Sequence, residues 1–188
     1  MVHLDVTPEN VLISHSGEVK VTDFGIASWP RRSGPAGLPT TFGTPQYMSP
    51  EQARGGPVDA RSDLYSAGVL CYEIFCGRPP FAARRGFSPA VLAAQHVQSE
   101  PPAPSAIRPG FDAELESVIM KSLAKQAGDR YQSARAVRDA LNRVAERLVG
   151  PDPGRSGSPS SRLQVKDGGW LGELRRLFAP GPESPASR

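Results

Sequence analysis

The chain has 188 residues, 38% of them hydrophobic, which is enough for one compact domain with a modest core. No apolar run approaches the ~18 residues a membrane-spanning helix needs, and Asp5 and Glu9 interrupt the stretch where a signal peptide would carry its apolar region. Net charge is +3, and residues 150–188 hold six Lys/Arg against four Asp/Glu, so the body is near neutral. That balance argues against a nucleic-acid surface, and the chain is expected to be cytoplasmic.

Residues 3–25, HLDVTPENVLISHSGEVKVTDFG, place two acids, Asp5 and Asp23, and an amide, Asn10, around a predicted hairpin. Val11-Leu12-Ile13 reads as one strand, Ser14 to Gly17 as the turn, and Val19-Lys20-Val21 as the return strand. Such a hairpin brings Asn10 and Asp23 together at its open end. Two oxygen ligands on rigid elements, with Asp5 close before them, suit a hard cation beside a proton acceptor. The chemistry this implies is Mg-assisted group transfer to a hydroxyl.

Residues 29–41, WPRRSGPAGLPTT, have no apolar period and read as a surface loop. Its hydroxyls Ser33, Thr40 and Thr41 are candidate phosphorylation sites. A helix is predicted from about Asp63 to Cys76, capped by Ser62 and ended by Gly77 and Pro79-Pro80. Apolar residues occur all round its wheel, which predicts burial on all sides. Cys71 and Cys76 lie about 140° apart on it and are not expected to pair. Ser88 and Pro89 open a further helix running to about Gln98, in which His96 reads as an ordinary packed histidine. Asp112 caps a helix over 112–124 with Leu115, Val118, Ile119 and Leu123 inward. Ser133 caps the last strong helix, over 133–148, with Val137, Leu141, Val144 and Leu148 inward.

Residues 150–168 are rich in Pro, Gly and Ser and are expected to be a disordered linker. In the tail, residues 169–188, Trp170, Leu171, Leu174, Leu177 and Phe178 form one helical face opposite Arg175 and Arg176. That segment is a candidate for weak contact with the body, a partner or an acidic membrane surface.

The sequence HLDVTPEN followed by TDFG resembles the catalytic loop and metal motif of protein kinases. Phe42 to Glu51, FGTPQYMSPE, resembles the kinase segment on which a substrate peptide docks, and Asp129-Arg130-Tyr131 resembles a further kinase turn. Residues 1–149 are similar to the large lobe of a bacterial-type Ser/Thr kinase. The resemblance implies a mainly α fold, helical with a small β-hairpin at the catalytic and DFG loops. It also implies a serine/threonine protein kinase using ATP and Mg2+ on protein Ser/Thr acceptors.

The resemblance assigns residue roles in the same way. Asp5 would orient and deprotonate the substrate hydroxyl, and Thr44 would hydrogen-bond near it. Asn10 and Asp23 would hold Mg2+, and Leu12 would lie beneath the adenine. His3, Phe24 and Gly25 would support the site, Asp63 would hold the backbone of the catalytic loop, and Arg130 would pair with Glu51.

Three departures bear on that expectation. Leu4 stands where such kinases carry an Arg, so loop phosphorylation is not expected to switch this protein. Thr7 stands where they carry a Lys, at an expected cost of ~10²-fold in rate. The resemblance begins at the catalytic loop and does not include the N-terminal lobe, so a truncated large lobe, inactive by itself, is expected. A separate N-lobe or partner protein would complete it. The alternative is a non-enzymatic relic that acts as a binding or regulatory module.

Overall fold

The computed structural model describes residues 2–24, 44–82 and 88–149. Gly25, Ser33, Thr40, Thr41, the linker expected at 150–168 and the tail segment at 169–178 lie outside the described residues. The order of elements is a hairpin of β1 (Val11–Ile13) and β2 (Val19–Val21), then α1 (Pro50–Ala53), α2 (Ala60–Cys76), α3 (Pro89–Gln98), α4 (Pro104–Ile107), α5 (Ala113–Ser122) and α6 (Ala134–Val149). The described part is therefore mainly α with one small antiparallel sheet, as the sequence predicts.

The hairpin register pairs Val11 with Val21, Leu12 with Lys20 and Ile13 with Val19. Its turn is closed by the Ser14 N–H donating to the Glu18 carbonyl at 2.9 Å and the Gly17 N–H to the Ser14 carbonyl at 2.9 Å. At the open end the Thr22 N–H donates to the Asn10 carbonyl at 2.9 Å. The arm is short and its apolar residues face solvent: Leu12 is 56% and Ile13 68% exposed.

The core lies where α2 packs on α5 and α5 on α6. Tyr65, Val69 and Tyr72 of α2 meet Leu115, Val118, Ile119 and Leu123 around α5, and Ala140 and Val144 of α6 close the cluster. Gly68 of α2 lies close against Ser122 of α5. A Cβ there would stand 2.7 Å from the Ser122 Cβ, so only glycine admits this approach.

Two expectations for α2 are corrected. It starts at Ala60, not near Asp63, because Asp59 in extended backbone accepts the Arg61 N–H at 2.8 Å and is the cap. Ser62 lies inside the helix, where its hydroxyl is used elsewhere. The helix is also not buried all round. Its inward face includes Ser62, Ser66 and Gly68, while Ile74 is 65% exposed. It ends at Gly77, whose left-handed φ of 73° closes the C-terminus.

Of the other helices, α3, α5 and α6 start where expected, while the short α1 and α4 are not foreseen in the sequence. Asp112 accepts the Leu115 N–H at 2.9 Å, and Ser133 Oγ accepts the Ala136 N–H at 3.2 Å. In α6, Leu141, Val144 and Leu148 pack on the core as expected, Ala140 is buried beside them, and Val137 is half-buried.

Candidate active site

The site is built from the loop that precedes β1. Leu4 has a φ of +66°, a left-handed conformation that a branched side chain rarely adopts. It is held there by α2. Asp63 accepts the His3 N–H at 2.8 Å on one carboxylate oxygen and the Leu4 N–H at 2.7 Å on the other. A carboxylate with two oxygens can take both donors at once, and charge-assisted bonds of this kind are the stronger sort. The structure thus places Asp63 on the backbone of the loop that carries Asp5.

His3 is buried beneath the loop. Its Nε2 donates to the Thr22 carbonyl at 2.7 Å, and its Nδ1 accepts the Asp5 N–H at 3.3 Å. A carbonyl can only accept, so this pair of contacts selects the Nε2–H tautomer. The His3 ring packs on Phe24, centroids 4.6 Å apart. One histidine thereby ties the loop to the strand end that leads into Asp23.

The Asp5 carboxylate faces two donors. Asn10 Nδ2 donates to its Oδ2 at 3.0 Å and to the Asp5 carbonyl at 2.8 Å. The backbone N–H of Thr44 donates to its Oδ1 at 3.4 Å. The contact with residue 44 therefore comes from the main chain.

Asn10 spends its amide nitrogen on Asp5, and no described residue donates to its Oδ1. Asp23 is exposed at the hairpin's open end, with a φ of +62°. An amide oxygen and a carboxylate fit Mg2+, which is usually held by one or two carboxylates with phosphates and waters completing the shell. Among the described residues no cluster of three or more His, Cys, Asp or Glu offers an all-protein metal site. Leu12 lies on the open face of the hairpin, exposed as described above.

The segment after Thr44 is tied to the body. Ser66 Oγ donates to the Tyr47 carbonyl at 2.7 Å, and the Tyr47 hydroxyl donates to Glu73. Glu51 and Arg130 form a bidentate pair, both bonds 2.8 Å, with the Arg130 side chain fully buried. The remaining guanidinium hydrogens go to the carbonyls of Arg61, Ala124 and Lys125. Ser62 Oγ donates to Glu51 at 2.6 Å. Burial pushes the Glu51 carboxyl up, but the hydrogen bonds from Arg130 and Ser62 outweigh it and hold the group below its ordinary value.

One residue the sequence reading passed over is Gln52. It is buried, it caps the N-terminus of α1 through a reciprocal capping box with Ser49, and its Nε2 donates to the Leu4 carbonyl at 2.9 Å. Ser49-Pro50-Glu51-Gln52 has the S-x-x-Q spacing of that cap, so the local half of this role was readable. The contact with Leu4, 48 residues away, was not.

The protein kinase domain family matches residues 1–141. The serine/threonine-protein kinase PknB of Mycobacterium tuberculosis is 49% identical over 146 residues, covering 77% of this chain and 23% of that protein. A protein of Streptomyces coelicolor named as a probable serine/threonine-protein kinase is 48% identical over 143 residues, 73% of this chain and 20% of that protein. PknB of Corynebacterium glutamicum is named as probable too and is 43% identical over 155 residues, 79% of this chain and 24% of its own. The chain thus spans about a fifth to a quarter of the length of these relatives. It belongs to the protein kinase family, whose members generally use ATP and Mg2+ and act on protein substrates.

Proposed function

We propose that this chain carries the catalytic half of a serine/threonine protein kinase. The observation that carries the reading is the placement of Asp5. Its backbone is anchored through Asp63, and its carboxylate is aimed by Asn10 and Thr44. The relatives at 43–49% identity are named as serine/threonine kinases, which supports Ser and Thr hydroxyls as acceptors.

In this reading Asp5 orients the substrate hydroxyl and accepts its proton as the oxygen attacks phosphorus. Thr44 keeps the acid facing the segment on which the substrate peptide would lie. Asn10 Oδ1 and the Asp23 carboxylate would hold Mg2+. Bound there, the metal would neutralise charge on the ATP phosphates. Leu12 would lie against the adenine. Phosphoryl transfer asks little covalent chemistry of a protein, so fixed placement of these few groups is the main contribution.

The test is transfer of labelled phosphate from ATP to a generic basic protein, by a protein that carries this chain. Phosphoserine or phosphothreonine is expected, and Asp5→Asn should lower the rate by ~10²-fold or more. Undiminished transfer by the variant, or transfer only to a small metabolite, would overturn the reading. A second reading, a non-enzymatic binding module, is favoured by the exposed apolar arm of Leu12, Ile13 and Val19. It predicts no transfer by the wild-type protein.

A further inference from the structure

The left-handed Leu4 is held from two directions. Its N–H donates to Asp63 on α2, and its carbonyl accepts from Gln52 on α1. The Gln52 amide has no freedom to turn over. Its Oε1 accepts the Ser49 N–H at 3.0 Å, a group that can only donate, so Nε2 is left as the end that serves a carbonyl. With 2% exposure, the side chain is sealed from water.

The carbonyl that Gln52 grips belongs to the peptide joining Leu4 to Asp5. That unit is planar, so fixing its oxygen fixes the plane from which the Asp5 side chain departs. Leu4, Asp5, Thr44, Tyr47, Gln52 and Ser66 also line a cavity of about 10 Å³. That is no more than the space for one water. Leu4 is itself only 9% exposed, so its carbonyl, deprived of Gln52, has little solvent to turn to and is relieved chiefly by rotation of the peptide.

We propose that Gln52 is a positioning residue: by holding the Leu4 carbonyl it sets the direction in which the Asp5 carboxylate is presented. The inference rests on the reading of Asp5 as the proton acceptor. It makes the segment from Thr44 to Gln52 and the catalytic loop one mechanical unit, joined at Leu4 by Gln52 and at Asp5 by the Thr44 N–H.

The test is NMR on the full 188-residue chain without nucleotide. Gln52→Met keeps the volume and loses the donor. Ser49→Ala weakens the same helix cap but keeps the bond to Leu4, and so reports a merely structural role. In Gln52→Met, amide exchange at Leu4 and Asp5 should rise about tenfold or more relative to Val69 and Ile119 in the core. The side-chain amide signals of Asn10, which reads the Asp5 carboxylate, should also move. In Ser49→Ala neither should change. Should Gln52→Met fail to fold, Gln52→Asn takes its place, since it keeps the amide and falls one methylene short. The inference is overturned if the Gln52 and Ser49 variants behave alike, or if the Gln52 variant leaves both the exchange ratio and the Asn10 signals unmoved. Phosphoryl transfer is not used, so failure of the kinase reading and failure of this inference are seen separately.

Discussion

The helical body and the hairpin arm are built in opposite ways. In the body, α2, α5 and α6 enclose Tyr65, Val69, Ile119 and Leu123 almost completely, and the buried guanidinium of Arg130 has a carboxylate and three carbonyls around it. The arm is two three-residue strands with Leu12, Ile13 and Val19 open to water. A two-stranded hairpin of this kind is marginal by itself. Asp63, which anchors the loop carrying Asp5, and the Glu51–Arg130 pair, which holds the segment after Thr44, sit in or against the closed part. The groups that would meet metal and nucleotide, Asn10, Asp23 and Leu12, sit on or at the foot of the open arm. The difference separates the two regions: the body fixes where Asp5 stands, and the arm is open to solvent.

The largest way to break that contrast is to remove Arg130. Arg130→Ala leaves Glu51 charged and half-buried without its partner, and strips donors from three carbonyls. A loss of ~3–5 kcal/mol is expected in urea unfolding, and a loss below about 1 kcal/mol would mean the body is held by its apolar core alone.

The second is a pH effect confined to the body. His96 is fully buried, with its Nδ1 2.9 Å from the Tyr65 hydroxyl. Burial, with the Lys125 charge adding to it, pulls its imidazole from 6.5 down to about 4. Its folded value lies below its unfolded value, so the unfolded chain takes up the proton first as pH falls. Its contribution is therefore full above pH 6.5 and is lost as pH falls from 6.5 to 4, by about 3 kcal/mol in all. Urea midpoints across that range should fall, and His96→Phe should flatten the slope. An unchanged slope in the variant would assign the loss to other groups.

The smallest effect is expected in the arm. Ile13→Thr replaces a side chain that is mostly in water already and should change stability by no more than about 0.5 kcal/mol. A larger loss would show the arm to be packed rather than open.

Much of this was legible in the sequence where the signal was local. The hairpin follows from two β-rich runs around Ser14-His15-Ser16-Gly17, and α3, α5 and α6 from Ser88-Pro89, Asp112 and Ser133. The start of α2 was misread because Ser62 and Asp59 both have cap chemistry, and the choice depends on Ser62 being needed by Glu51, 11 residues earlier. The burial of Ala140 in α6 was unexpected for a similar reason. Ala140 is small enough to sit against the core, and size at a contact cannot be read from one helix. At the site, residue types and spacing pointed to Asp5, Asn10 and Asp23. The ties that place Asp5, from Gln52 to Leu4 and from the Thr44 main chain to the acid itself, span 48 and 39 residues, and no local pattern encodes them.

The body holds the loop that carries Asp5, while the arm on which a nucleotide would lie is open to water. Isothermal titration of the 188-residue chain with Mg-ATP tests this directly. A dissociation constant weaker than about 100 μM is expected, about −5.5 kcal/mol or less in magnitude. A saturable one-to-one site tighter than that would contradict it, because the open arm would then be enough to hold the nucleotide.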